Sequence, residues 1–155
     1  MVEAFDAWAA TERPAAQADH LCFKCSSGEE FERLRRLFEG SSQYIYQSII
    51  SLRRIAIIRF CDPVQTVLGP VWFLELSDQK PDGSQRSGFE HIEVYPTHDT
   101  VADLAQRHST QGVTFTSSGR AHHATYDGRI SPVCEVRIEP EPLIKKIVRD
   151  ELGLV

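Results

Sequence analysis

The sequence lacks an excess of positive charge, a long apolar run and a cysteine framework. Seventeen Lys and Arg against 22 Asp and Glu leave a net charge of −5. Nucleic-acid binders usually carry a basic face, so nucleic acid is not an expected partner. Apolar stretches such as Ile55–Ile58 fall far short of the ~20 residues a membrane span needs, so no membrane partner is expected either. Four cysteines are few for a disulfide scaffold, and Met1–Ala10 carry Glu3 and Asp6 with no basic stretch. The expectation is reduced thiols in a cytoplasmic protein. What is present suits one globular domain over residues 1–155, with 41% hydrophobic and 25% charged residues.

Phe5, Trp8 and Ala9 form one helical stripe before Pro14. Asp19–Cys25 then alternates: Leu21, Phe23 and Cys25 share one strand face, and His20, Cys22 and Lys24 the other. Ser26-Ser27-Gly28-Glu29 reads as a capping box pairing Ser26 with Glu29. Phe31, Leu34, Leu37 and Phe38 follow at helical spacing, and Gly40 stops that helix. Tyr44–Ile50, Arg53–Phe60 and Val71–Ser77 read as three strands. Ser77–Gly88, without a large apolar residue, reads as a connector. The order then repeats. Phe89–Tyr95 is a strand, and Asp99–Gln111 a helix with Val101, Leu104, Ala105 and His108 on one side. Val113–Thr116, Ala121–Tyr126 and Pro132–Glu139 are strands, and a last amphipathic helix carries Leu143, Ile144, Ile147, Val148 and Leu152. The reading is α+β: two βαβββ modules, about 18–78 and 89–140, between terminal helices.

Polar residues interrupt the strands in a pattern. Each module offers one histidine from its first strand and one glutamate from its last: His20 with Glu75, and His91 with Glu135. Two imidazoles and two carboxylates suit a borderline divalent ion such as Zn, Ni, Fe or Mn. Solvated residues on the open face of an antiparallel sheet would give the same alternation. The core should contain Leu21, Phe23, Leu34, Phe38, Leu74, Ile92, Val94, Leu104, Val136 and Ile138.

The duplicated order with His, Glu, His, Glu at the module edges resembles the vicinal oxygen chelate superfamily of glyoxalases, extradiol dioxygenases and bleomycin-resistance proteins. Ala18-Asp19-His20 with Cys25, Arg53-Arg54-Ile55 leading to Asp62-Pro63-Val64, Glu75-Leu76, and Glu90-His91-Ile92-Glu93 more closely resemble the YecM-like bacterial proteins, over roughly residues 18–150. The resemblance implies a glyoxalase-like mixed sheet curled around a cavity. It places metal ligands at His20, Glu75, His91 and Glu135, with Glu139 competing for the last position. It does not supply a reaction.

Other residues carry weaker signals. Cys22 and Cys25 are three apart on a strand, so their sulfurs face opposite ways; they read as core or incidental cysteines, with a cavity thiol at Cys22 the alternative. His122 and His123 lie in a strand, where only one can face the cavity and a surface or turn role is expected, and His98 and His108 are expected in solvated or capping roles. Arg53 and Arg59, six apart on one strand face, would fork onto a substrate carboxylate or phosphate, with Lys24 as a further anion contact. The expected function is divalent-metal isomerase, lyase or dioxygenase chemistry on a small oxygenated substrate, with Glu135 or Glu93 as the base. The competing expectation is a metal-free module that binds a small molecule. Either suits a monomer or a homodimer.

Overall fold

The computed structural model describes residues 1–152 apart from Ser51, Thr110, Gln111 and residues 120–122, and side chains as far as Arg149. The elements run α1 (Val2–Glu12), β1 (Ala16–Lys24), α2 (Gly28–Glu39), β2 (Tyr44–Ile50), β3 (Arg53–Thr66), β4 (Gly69–Ser77), β5 (Gly88–Pro96), α3 (Val101–His108), β6 (Phe115–Gly119), β7 (Ala124–Ser131), β8 (Cys134–Ile138) and α4 (Leu143–Leu152). The strands form one open, curled sheet in the order β2-β3-β4-β1-β5-β8-β7-β6. β1 runs parallel to β4, β5 parallel to β8, and β1 antiparallel to β5. The two βαβββ sets therefore meet at their first strands, about a pseudo-twofold axis between β1 and β5.

One face of that sheet carries the core. Leu21, Ala56, Ile58, Leu74, Leu76, Ile92, Val94, Val136 and Ile138 pack there with Phe5 and Trp8 of α1, Phe31 of α2 and Leu104 of α3. Alternation turns the intervening residues of the same strands to the other face. Of the ten expected core residues, Phe23, Leu34 and Phe38 are only half-buried. Leu37, placed on the same helical stripe, is 64% exposed. For the α2 residues the reason is position: α2 lies toward the β2 side of the sheet, where Phe38 meets the ring of Phe60 (6.4 Å) at the margin of the core.

Several boundaries differ from the sequence expectation. The α2 cap is one residue later: Ser27 accepts from the Glu30 amide, and the Glu30 carboxylate takes the amide and hydroxyl of Ser26. β3 continues past Phe60 to Thr66, and Pro63 is tolerated because the β3–β4 register breaks between Arg59 and Val64. β6 begins at Phe115, where pairing with Gly128 starts. A Cβ on Gly128 would lie 2.5 Å from the Phe115 ring, so the glycine makes room for that ring. β7 runs Ala124–Ser131, later than expected; His122 and the side chain of Leu152 fall outside the described residues. His108 is not solvated. Its ring is buried edge-on against Trp8 (6.0 Å), with Nδ1 3.5 Å from Glu12.

Candidate metal centre at the β1–β5 junction

The central strand pair brings together histidines 71 positions apart. Between the pairs Ala18–Val94 and Leu21–Ile92, β1 carries one residue more than β5; between Cys22–His91 and Phe23–Phe89, β5 carries one more than β1. Such bulges re-aim side chains. Here each interrupts the ladder at an acid–histidine dipeptide. Asp19 Oδ2 lies 2.8 Å from His20 Nδ1, and Glu90 Oε2 lies 3.1 Å from His91 Nδ1. With Nδ1 engaged, both rings turn Nε2 inward.

Glu93 receives both. Its Oε2 lies 3.6 Å from His20 Nε2 and its Oε1 3.4 Å from His91 Nε2. One ligand atom from each of His20, His91 and Glu93 falls within 4.8 Å of the others. All three residues are buried, and among the described residues His20 Nε2 has no hydrogen-bond partner. A buried imidazole nitrogen left unpaired is costly, and a metal would satisfy it.

The surroundings are charged. Glu75 Oε1 accepts from the Cys22 thiol (3.3 Å) and lies 3.7 Å from Lys24 Nζ, while Glu75 Oε2 is 3.9 Å from His20 Nε2. Lys24 also meets Glu90 at 3.5 Å. Arg137 places Nη1 3.2 Å from His91 Nε2 and donates from Nε to Asp127 (2.6 Å). Burial disfavours the His20 imidazolium, yet Glu93, Asp19 and Glu75 outweigh it and raise the pKa to about 9. Burial opposes the His91 imidazolium too, and Cys22, Glu90 and Glu93 outweigh it, holding that pKa well above the ordinary value. The Arg137 guanidinium, 3.2 Å from Nε2, works against a proton there. Burial raises the carboxyl pKa values of Glu75 and Glu93, but Lys24 and His20 overcome it for Glu75, and His20, His91 and Arg137 for Glu93; both fall. Glu90 falls to about 2, chiefly through its bond to His91.

The structure thus gathers His20, His91 and Glu93, with Glu75 beside them. Glu135 points elsewhere, to Arg129 at 3.2 Å, although it is the cross-strand neighbour of His91. Glu139 is held by His123 (2.8 Å). Arg53 and Arg59 do share the face of Glu75 by register, but six strand residues separate their Cα atoms by roughly 20 Å. One small anion does not bridge that span. Arg53 reaches Gln85 (3.4 Å), and Arg59 stacks over Trp72 (4.9 Å). Lys24 lies in the cluster, buried between carboxylates. Sequence reasoning missed Arg137, Asp127, and the roles of Asp19 and Glu90. The signal for the last two was the recurrence of acid-His-aliphatic in Asp19-His20-Leu21 and Glu90-His91-Ile92.

A family model described as YecM protein matches residues 3–130. The chain belongs to the YecM family. Protein YecM of Escherichia coli (strain K12) is 30% identical over 77 residues, which cover 50% of this chain and 41% of that relative. The matched stretch therefore spans under half of the relative's length. Among solved structures, the structural-genomics protein EC4020 superposes with a TM-score of 0.70 at 23% identity, over 97% of this chain and 86% of the other. That likeness shows a shared fold. A methylmalonyl-CoA epimerase from Streptomyces coelicolor has a TM-score of 0.44 at 17% identity, over 81% of this chain and 98% of the other.

Proposed function

We propose that this YecM-family chain is a divalent-metal-dependent enzyme acting on a small oxygenated substrate, by isomerase, lyase or dioxygenase-type chemistry. The observation that carries the reading is the buried, unpartnered His20 Nε2 within reach of Glu93 and of the second histidine. Two imidazoles and a carboxylate form a donor set that fits Zn, Ni, Fe or Mn. His20, His91 and Glu93 would hold the ion. When bound, it would supply Lewis-acid polarisation of substrate oxygens.

The remaining roles belong to the chain itself. Glu93 faces both histidines and acts as a ligand, so Glu75 is the carboxylate free to take a proton. Its lowered pKa keeps it ionised, and Lys24 and Cys22 hold it in place. Ile55 and Ile57, buried on the same face of β3 as Glu75's row, provide an apolar floor that excludes water. Asp19 and Glu90 orient the two rings.

The test is metal content after native purification without an affinity tag. Near-stoichiometric metal that is lost in His91→Ala supports the enzyme reading. Metal-free protein that takes up none on titration sinks it. The competing reading, a metal-free binding module, draws on one observation: Lys24 and Arg137 lie against the cluster's carboxylates and offset their charge.

A further inference from the structure

Arg137 stands beside two atoms that a metal would need. Its Nη1 is 3.2 Å from His91 Nε2 and 3.7 Å from Glu93 Oε1. Strand register puts it there: β8 pairs Arg137 with Glu93 on one side, and β7 pairs it with Asp127 on the other. Asp127 holds Nε at 2.6 Å, so one edge of the guanidinium is anchored while the other points into the cluster. An imidazole nitrogen has one lone pair, which a metal and an N–H donor cannot both use. A dication and a guanidinium also repel at such range.

We propose that Arg137 is a displaceable cation in the metal position, which a metal ion must drive off His91 and Glu93, and which then turns its freed nitrogens to an anionic oxygen of the substrate. The inference rests on the metal reading above and narrows the substrate class to small oxygenated anions, carboxylate or phosphoryl. Arg137 stays tethered to Asp127 throughout, so the freed donors remain next to the ligands they left. The coupling is reciprocal. An anion that draws Arg137 away from His91 tightens metal binding, and the metal tightens anion binding by the same factor.

Zinc titration of the wild type, Arg137→Met and Arg137→Lys tests this. Methionine keeps bulk without charge or donors, and should bind zinc about tenfold tighter or more, a shift of about 1.4 kcal/mol. Lysine, which keeps the charge but loses the fork, should fall between. Added sulfate should tighten zinc binding in the wild type and leave Arg137→Met unchanged. Equal or weaker zinc binding in Arg137→Met overturns the proposal, as does a wild type indifferent to sulfate. A second measurement uses only the wild type. In nitrogen-resolved NMR of the side chains, the Arg137 Nη signals should move in step with the His91 ring as zinc is added. A His91 signal that moves while Arg137 stays put refutes displacement. If the His91 ring does not respond to zinc in the wild type and Arg137→Met binds no zinc, the metal reading itself has failed, and this inference with it.

Discussion

His20 and His91 present their Nε2 atoms to opposite oxygens of one carboxylate, at 3.6 and 3.4 Å from Glu93. The two rings come from different βαβββ sets, and each is tethered at Nδ1 by the acidic residue before it. Glu93 thus joins both halves of the sheet at one point, so the cluster is sensitive to any change along β1 or β5.

Replacing His91 should remove the metal and also cost stability. The ring is fully buried and bonded to Glu90. His91→Ala should destabilise the metal-free protein by about 1–3 kcal/mol, because Glu90 and Arg137 lose a partner. Chemical denaturation of the chelator-treated proteins checks this, and an unchanged midpoint contradicts it.

Asp19 serves two elements with one oxygen. Its Oδ2 contacts His20 Nδ1 and accepts from the Leu143 amide at the start of α4. Asp19→Asn should weaken metal binding by about 10–100-fold through loss of ring orientation. Asp19→Ala should also speed amide exchange at residues 143–146. Exchange confined to the site, with α4 unaffected, would contradict the shared role.

The pH dependence of the metal-free protein follows from His20. Its folded pKa, about 9, lies above the ordinary 6.5. That stabilisation is complete below pH 6.5 and is lost as the pH rises through 9, by an amount on the order of 3 kcal/mol. Glu90 acts oppositely: with its folded pKa lowered to about 2, its contribution is present above the ordinary 4.5 and lost on acidification toward 2. Urea midpoints should therefore peak between about pH 4.5 and 6.5. In His20→Gln the alkaline decline should flatten. Metal binding should follow the reverse course and tighten as the pH rises, because the ligand must be neutral.

Thiol reactivity separates the four cysteines. Burial, with Glu30 and Asp78 adding to it, pushes Cys25 up to about 12; burial likewise pushes Cys134 up to about 11. Cys22 is buried with its pKa also raised, whereas Cys61 is exposed. At pH 8 the buried thiols hold almost no thiolate, so iodoacetamide should modify Cys61 alone in the native protein and all four after unfolding. Mass spectrometry of the labelled chain reads the count.

Gly128→Ala should destabilise the β6–β7 hairpin by about 1–3 kcal/mol, because the new methyl collides with the Phe115 ring. Pairing the change with Phe115→Leu should recover part of the loss. No recovery would mean that the clash lies elsewhere.

The element order and the two faces of each central strand are legible in the amino-acid sequence. Alternation in Leu21, Ile92, Val94, Val136 and Ile138 fixes which side packs under helices, since a slip of one residue would bury the charges instead. The same alternation put His20, Glu75 and His91 on the other face, and local chemistry named the α2 cap to within a residue. Which of those polar groups meet is a matter of the folded sheet. The meeting depends on strand register and on two bulges, and both are set by pairing between segments some 70 residues apart. Glu135 and Arg137 show the consequence. They sit two apart on one strand face, yet cross-strand neighbours pull Glu135 to Arg129 and send Arg137 into the cluster. A pattern of period two shows the face a side chain takes; the partner it finds there belongs to another strand.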